Sequence, residues 1–324
     1  MTGNHKQFFG KIMLFGEYSL MYGAAALTVP FTKYFAKFLL PSNPMSAQEI
    51  DFARKSNKQL QLFLQYLQDL QILEGAGFSF DRIREDLEAG LYLWSNIPNG
   101  YGLGSSGALV AAIYSRYAAN PYAEPSKTEE LLELKSAFAK MEAFFHGSSS
   151  GLDPLTSYVN KPLIINSEHN ISLVTQNLKP YRKNGGFFLV DTHIPRNTKP
   201  LVIAFHEKCQ DASFLDKLKT EYFTINNACI NSVIENEGSI SELMKQLSSL
   251  QLEIFEEMIP HGFLDAWAKG LSSGSYTLKL CGAGGGGFLL GFADDFDNIS
   301  DEFPKQDLVL LSELFGPNPS IQHP

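Results

Sequence analysis

Between an apolar stretch at Leu91–Ile97 and an apolar run at Ser105–Ala118, the chain reads Pro98-Asn99-Gly100-Tyr101-Gly102-Leu103-Gly104-Ser105-Ser106-Gly107. The spacing predicts a strand, a glycine turn and then a helix. Alternate glycines let backbone N–H groups approach an anion closely, and the helix start adds the positive end of its dipole. Ser105 and Ser106 bring hydroxyls suited to capping the helix, holding a phosphate oxygen or ligating magnesium. A tight turn with a serine cap would use the same residues, so this pattern alone leaves both readings open. The common P-loop signature, G-x-x-x-x-G-K-[ST], does not occur.

A second glycine cluster, Leu280-Cys281-Gly282-Ala283-Gly284-Gly285-Gly286-Gly287-Phe288, satisfies G-x-G-x-x-G at 282, 284 and 287. The dinucleotide fingerprint must follow a strand and open a helix. Here both flanks, Tyr276–Leu280 and Phe288–Phe292, predict strands, so that reading fails. What remains is a ridge without side chains, suited to close packing against a ligand or another loop.

A third stretch runs from Glu142 through His146 and Gly147 to Ser150, Gly151, Leu152 and Asp153. Glu142 and His146 are i and i+4 near the end of a predicted helix at Thr128–Phe145, so they share a face. The chain then turns and brings Asp153 back beside them, which lets two carboxylates converge, one for a metal and one for a proton. The plainer alternative is a solvated Glu142, a His146 at the negative helix end and Asp153 as a turn former. Gly-Ser-Ser-Ser-Gly within this stretch matches the hydrolase nucleophile elbow, centred on Ser149. That device needs a strand before it and a helix after it. A helix precedes it here and Asp153-Pro154 follows, so it is rejected.

The rest of the chain sets the class. Its 324 residues suffice for two ordinary domains. Lys plus Arg is 26 against 35 Asp plus Glu, a net −9 that repels a phosphate backbone and argues against nucleic acid as partner. No apolar run is long enough for a membrane-spanning helix, and Lys11 and Glu17 interrupt the N-terminal apolar stretch, so no signal peptide is expected. The three cysteines, Cys209, Cys229 and Cys281, suit reduced thiols in the cytoplasm. Helical spacing over Glu49–Glu74, ended by Gly75 and Gly77, and over Ala212–Glu235 and Ser241–Met258 alternates with strands at Phe187–Val190 and Leu308–Leu311. Short runs punctuated by Gly16, Gly23, Pro30 and Pro41 predict strands and turns in the first forty residues. Without a steady βαβ rhythm the fold class is α+β. A polar stretch from Asn166 to Gly185, including Lys183, marks the domain boundary, which divides the chain into 1–180 and 181–324.

Taken together, these residues resemble the GHMP kinases, the family of galactokinase, homoserine, mevalonate and phosphomevalonate kinases. Gly10-Lys11-Ile12 through Gly16-Glu17-Tyr18, with Gly23 and Ala24, resembles the family's first motif; Gly100–Ser106 its ATP-phosphate loop; Leu280–Gly287 its third motif. Glu142, His146-Gly147, Ser150-Gly151-Leu152-Asp153 and the segment Asp191–Lys199 are most similar to the mevalonate kinase branch. Glu17-Tyr18 stands where that branch usually has Glu-His; Glu-Tyr is more familiar from phosphomevalonate kinases. Gly107 replaces a usual alanine, a change worth about 1 kcal/mol of helix propensity.

The resemblance implies a ribosomal-protein-S5-like N-terminal domain and a ferredoxin-like C-terminal domain, with an active site in the cleft between them. It implies ATP and Mg²⁺ as cofactors, mevalonate as the small-molecule acceptor, and a cytoplasmic enzyme, with a homodimer left open; a phosphomevalonate, sugar or homoserine kinase of the same family is the alternative, and a catalytically silent sensor of the same fold is disfavoured because Lys11, Glu142 and Asp153 are all retained. Gly100, Gly102, Leu103, Gly104, Ser105 and Ser106 would hold ATP's phosphates, and Ser106 and Glu142 the metal. Asp153 would orient or accept the hydroxyl proton beside Lys11. Glu17, Thr192, Arg196 and Gly284 would face the acceptor.

Overall fold

A computed structural model describes residues 6–70, 77–167, 170–175, 178, 184–235, 239–297 and 299–311. Gly75, Lys183 and the 180/181 boundary lie outside them. In chain order the elements are β1 Phe8–Phe15, β2 Ala26–Leu39, α1 Ala47–Asp69, α2 Phe80–Glu88, β3 Tyr92–Ser95, α3 Ser105–Tyr117, α4 Thr128–His146 and α5 Leu152–Val159. There follow β4 Leu163–Ser167, β5 Asn170–Leu173, β6 Gly186–Asp191, α6 Thr198–Lys208, α7 Ala212–Lys217, α8 Phe223–Glu235, α9 Ile240–Ile254, α10 Leu264–Ser273, β7 Thr277–Leu280, β8 Phe288–Ala293, α11 Ile299–Glu302 and β9 Leu308–Leu310. The fold is α+β, as expected. Among the described residues no helix is long and apolar enough to cross a membrane.

Contacts divide the chain into two compact units. The first comprises Met1–Lys11, Pro30–Pro98 and Leu103–Lys161; the second comprises Ile12–Val29, Asn99–Gly102 and Pro162–Pro324. In the first unit α3 is apolar on nearly every face, burying Ala108, Val110, Ala111, Ala112, Ile113 and Tyr114. A helix buried all round belongs at a core centre, and α4 and α5 both pack on it. α1 starts with a full capping box, Ser46 with Glu49, and buries Leu60, Phe63, Leu64 and Leu67. In the second unit an antiparallel sheet of order β7-β8-β6-β9 pairs Asp191 of β6 with Phe288 of β8. Every residue of β7 and of β8 is buried.

The sequence expectations err in instructive places. β2 is one continuous strand through Pro30, which falls between the stretch paired with β4, Ala26–Thr28, and that paired with β3, Ala36–Leu39. α5 and α6 each carry a proline, Pro154 and Pro200, in the first turn. First-turn N–H groups have no intrahelical partner, so proline costs little there, and reading Asp153-Pro154 as a break hides α5. A helix therefore does follow Gly-Ser-Ser-Ser-Gly. The nucleophile elbow still fails because α4, not a strand, precedes it.

Candidate active site

In the first unit, the Lys11 backbone N–H donates to Leu103 O at 2.9 Å. A Cβ on Gly10 would meet the same carbonyl at 3.0 Å, so β1 lies close against the turn that precedes α3. The Lys11 side chain is 6% exposed, and its Nζ lies 3.0 Å from Asp153 Oδ1. Asp153 occupies the first turn of α5, where the helix dipole favours an acid.

Ser106, in the first turn of α3, donates to Glu142 Oε1 at 2.7 Å and lies 3.1 Å from His146 Nε2. Its single hydroxyl proton goes to the carboxylate, so it accepts from the imidazole N–H. The Ser149 hydroxyl donates to the other Glu142 oxygen and accepts from the Gly151 N–H at 2.9 Å. Glu142 is buried, and its pKa is pushed up to about 7, first by burial and then by the Asp153 charge, against hydrogen bonds from Ser149 and Ser106. A buried carboxylate so loaded is short of positive charge. With the Ser106 hydroxyl it offers the hard oxygen donors that magnesium prefers, so the residues present fit the metal.

The turn before α3 has a backbone that can receive an anion. Gly100, Gly102 and Gly104 have φ of 78°, 68° and 73°. Gly104 is the N-cap and supplies no side-chain cap, which leaves the N-terminal N–H groups of α3 to other acceptors. Leu103 is buried; Ser105 stands in the first turn of the helix.

The second unit holds the remaining expected residues. Glu17 is buried; its Oε1 accepts from Lys279 Nζ at 2.7 Å and from Gly282 N at 3.5 Å, while Oε2 has no hydrogen-bond partner among the described residues. Burial raises the Glu17 pKa, and the Lys279 charge and hydrogen bond oppose it. Tyr18, at φ 60°, donates its hydroxyl to Ala283 O at 2.6 Å and packs on Phe205 and Phe255. The unusual tyrosine of the first motif thus tethers the third. Thr192 Oγ1 donates to Gly287 O at 2.7 Å, and Arg196 Nη1 to Cys281 O at 2.9 Å. A Cβ on Gly284 would lie 2.4 Å from Met258 O. The glycine ridge, expected to pack against a ligand or another loop, packs at Gly284, Gly286 and Gly287 on the backbone of Met258, Ile194 and Tyr101, and at Gly282 and Gly285 on the side chains of Arg196 and Leu201.

Several residues escape the sequence reading. Ser149 was visible only as a false elbow. Lys279, Gln251 and Tyr222 carried no motif; Gln251 donates to the Tyr222 hydroxyl at 2.8 Å and accepts from Leu280 N at 2.7 Å. A signal for Lys279 existed, since a lysine inside an apolar strand requires a buried carboxylate.

Comparison with known proteins follows the same lines. Residues 66–161 match the model of the GHMP kinases N terminal domain. The chain is 25% identical to the mevalonate kinase of Pyrococcus abyssi (strain GE5 / Orsay), over 87% of this chain and 86% of that one. Among solved structures it resembles L. major mevalonate kinase in complex with R-mevalonate, with TM-score 0.59, 18% identity and coverage of 93% and 90% of the two chains. It also resembles Streptococcus pneumoniae phosphomevalonate kinase in complex with phosphomevalonate and AMPPNP, with TM-score 0.60, 14% identity and coverage of 94% and 98%.

Proposed function

We propose that this chain, whose residues 66–161 match the GHMP kinases N terminal domain and which is similar to mevalonate kinases along most of its length, transfers the γ-phosphoryl group of ATP to the primary hydroxyl of mevalonate. The observation that carries this is the Lys11–Asp153 pair in the same unit as the hydrogen-bonded Ser106 and Glu142. Phosphoryl transfer needs positioning and charge stabilisation more than covalent help from the protein. Asp153 orients the acceptor hydroxyl and takes its proton. Lys11 keeps that carboxylate ionised and offsets charge on the transferring group. The turn Gly100–Ser106 and the start of α3 cradle the phosphates. Ser106 and Glu142 would hold magnesium, which would supply positive charge against the phosphates. On this reading residues 1–180 form the nucleotide-binding domain and 181–324 the second domain. Glu17, buried on Lys279, acts from behind the third motif.

One observation favours a second reading. Tyr18 replaces the histidine usual in mevalonate kinases, and a phosphomevalonate kinase would use the same ATP machinery with another acceptor. A coupled ADP-release assay across mevalonate, phosphomevalonate, homoserine and hexoses decides between them. Turnover of mevalonate is expected; turnover of phosphomevalonate alone would move the assignment to the second reading.

A further inference from the structure

Arg196 lies where two glycine turns of the second unit meet. Its backbone N–H donates to Gly100 O at 3.1 Å, and its Nη1 donates to Cys281 O at 2.9 Å. A Cβ on Gly102 would stand 1.7 Å from Nη2 and 2.0 Å from Cζ; one on Gly282 would stand 2.5 Å from Nη1. Both glycines have positive φ, 68° and 82°. The guanidinium therefore fills the space that two absent side chains leave open. The segment bearing it is anchored too: the Gly287 N–H donates to Ile194 O at 2.7 Å, and the Thr192 hydroxyl to Gly287 O.

We infer that Arg196 is a positioning residue for the nucleotide, locking the Gly100–Gly102 turn onto Cys281–Gly282, and that it does not hold the acceptor's carboxylate. The inference rests on the phosphotransferase reading above. Alternate glycines make that turn soft, because glycine loses the most conformational freedom on ordering. A loop held beforehand in its binding shape gives up less on binding ligand. Arginine suits this role because its planar fork directs several N–H groups at once, which a lysine ammonium on a flexible stem cannot copy. Two glycine positions, one in each turn, are thereby explained by one side chain.

The test is direct binding of MgAMPPNP to the purified full-length chain without acceptor, by calorimetry, beside KM values for ATP and mevalonate. R196A should weaken nucleotide binding by about tenfold or more, the scale of a lost charge-assisted hydrogen bond. It should raise KM for ATP and leave KM for mevalonate within about twofold. R196K, which keeps charge and bulk but not the fork, should recover only part of the loss and serves if R196A does not fold. G102A should weaken nucleotide binding strongly in the wild-type background and distinctly less in R196A, where the guanidinium it collides with is gone; the backbone strain is common to both. Strict additivity of the two substitutions would overturn the inference. So would a raised KM for mevalonate with unchanged MgAMPPNP affinity in R196A, which would make Arg196 an acceptor contact. A wild-type chain that binds no MgAMPPNP would overturn the phosphotransferase reading and the inference together; equal binding by wild type and R196A would overturn the inference alone.

Discussion

Glu142→Gln should make the metal-free protein more stable at pH 8 while abolishing most of its activity. The carboxyl is buried, and its pKa rises from 4.5 to about 7, mainly through burial and the neighbouring Asp153 charge. Between those pH values the folded chain holds a proton that the unfolded chain has released, so stability falls as pH rises through the interval. Above it the full cost is present. At 1.36 kcal/mol per unit this amounts to at most about 3 kcal/mol. Glutamine is neutral, accepts the Ser106 hydroxyl through its carbonyl and donates its amide toward Ser149, so it escapes the cost and keeps both contacts. Thermal unfolding in EDTA from pH 5 to pH 8 is the measurement. Glu142→Gln should melt on the order of 5 °C above wild type at pH 8, and the gap should close toward pH 5. MgATP should reverse the order, because only the wild type gains the ligand's stabilisation. A variant less stable than wild type at pH 8, or a gap that ignores pH, would refute the assignment of Glu142 as a carboxylate held charged for a metal.

Asp153→Asn and Lys11→Met should each lower kcat by ~10²–10⁴-fold, and the double variant by little more than the worse single one, since paired groups act as a unit; steady-state kinetics with saturating MgATP reads this out. Lys279→Met leaves the Glu17 carboxylate buried without its cation and should cost about 3–5 kcal/mol in urea unfolding. Adding Glu17→Gln should restore much of that loss. Gly107→Ala should lower kcat and stability together despite alanine's better helix propensity; normal kcat in that variant would mean α3 and α5 can separate without moving Asp153.

That last case shows where a chain's own pattern stops being informative. On helix propensity alone, Gly107 is a mild defect worth about 1 kcal/mol. In the fold, a Cβ there would stand 2.7 Å from Asp153 C and Pro154 N and 2.9 Å from Asp153 Cβ. Glycine is what allows α3 to approach α5 closely enough to set Asp153 beside Lys11. Residues far apart in sequence meet there, and no local periodicity records how close two backbones come.

The elements themselves were largely legible, because helical and strand periods report burial on one face and need no partner to be recognised. The long helices α1, α3 and α4 and the strands flanking the third motif lie where apolar spacing puts them, within a few residues at their ends. The glycine turns declared themselves because few residues accept positive φ, and the Glu142–His146 pair because i and i+4 share a helical face. Lys279 and Ser149 took their roles from partners the sequence does not place: one lysine neutralises a carboxylate 262 positions earlier, and one serine in a turn completes the bonding of Glu142. Local pattern determined which residues were available and on which face. Only the packing of remote segments decided which charges were buried together, because the cost of a buried charge depends on every neighbour around it and not on its own stretch of chain.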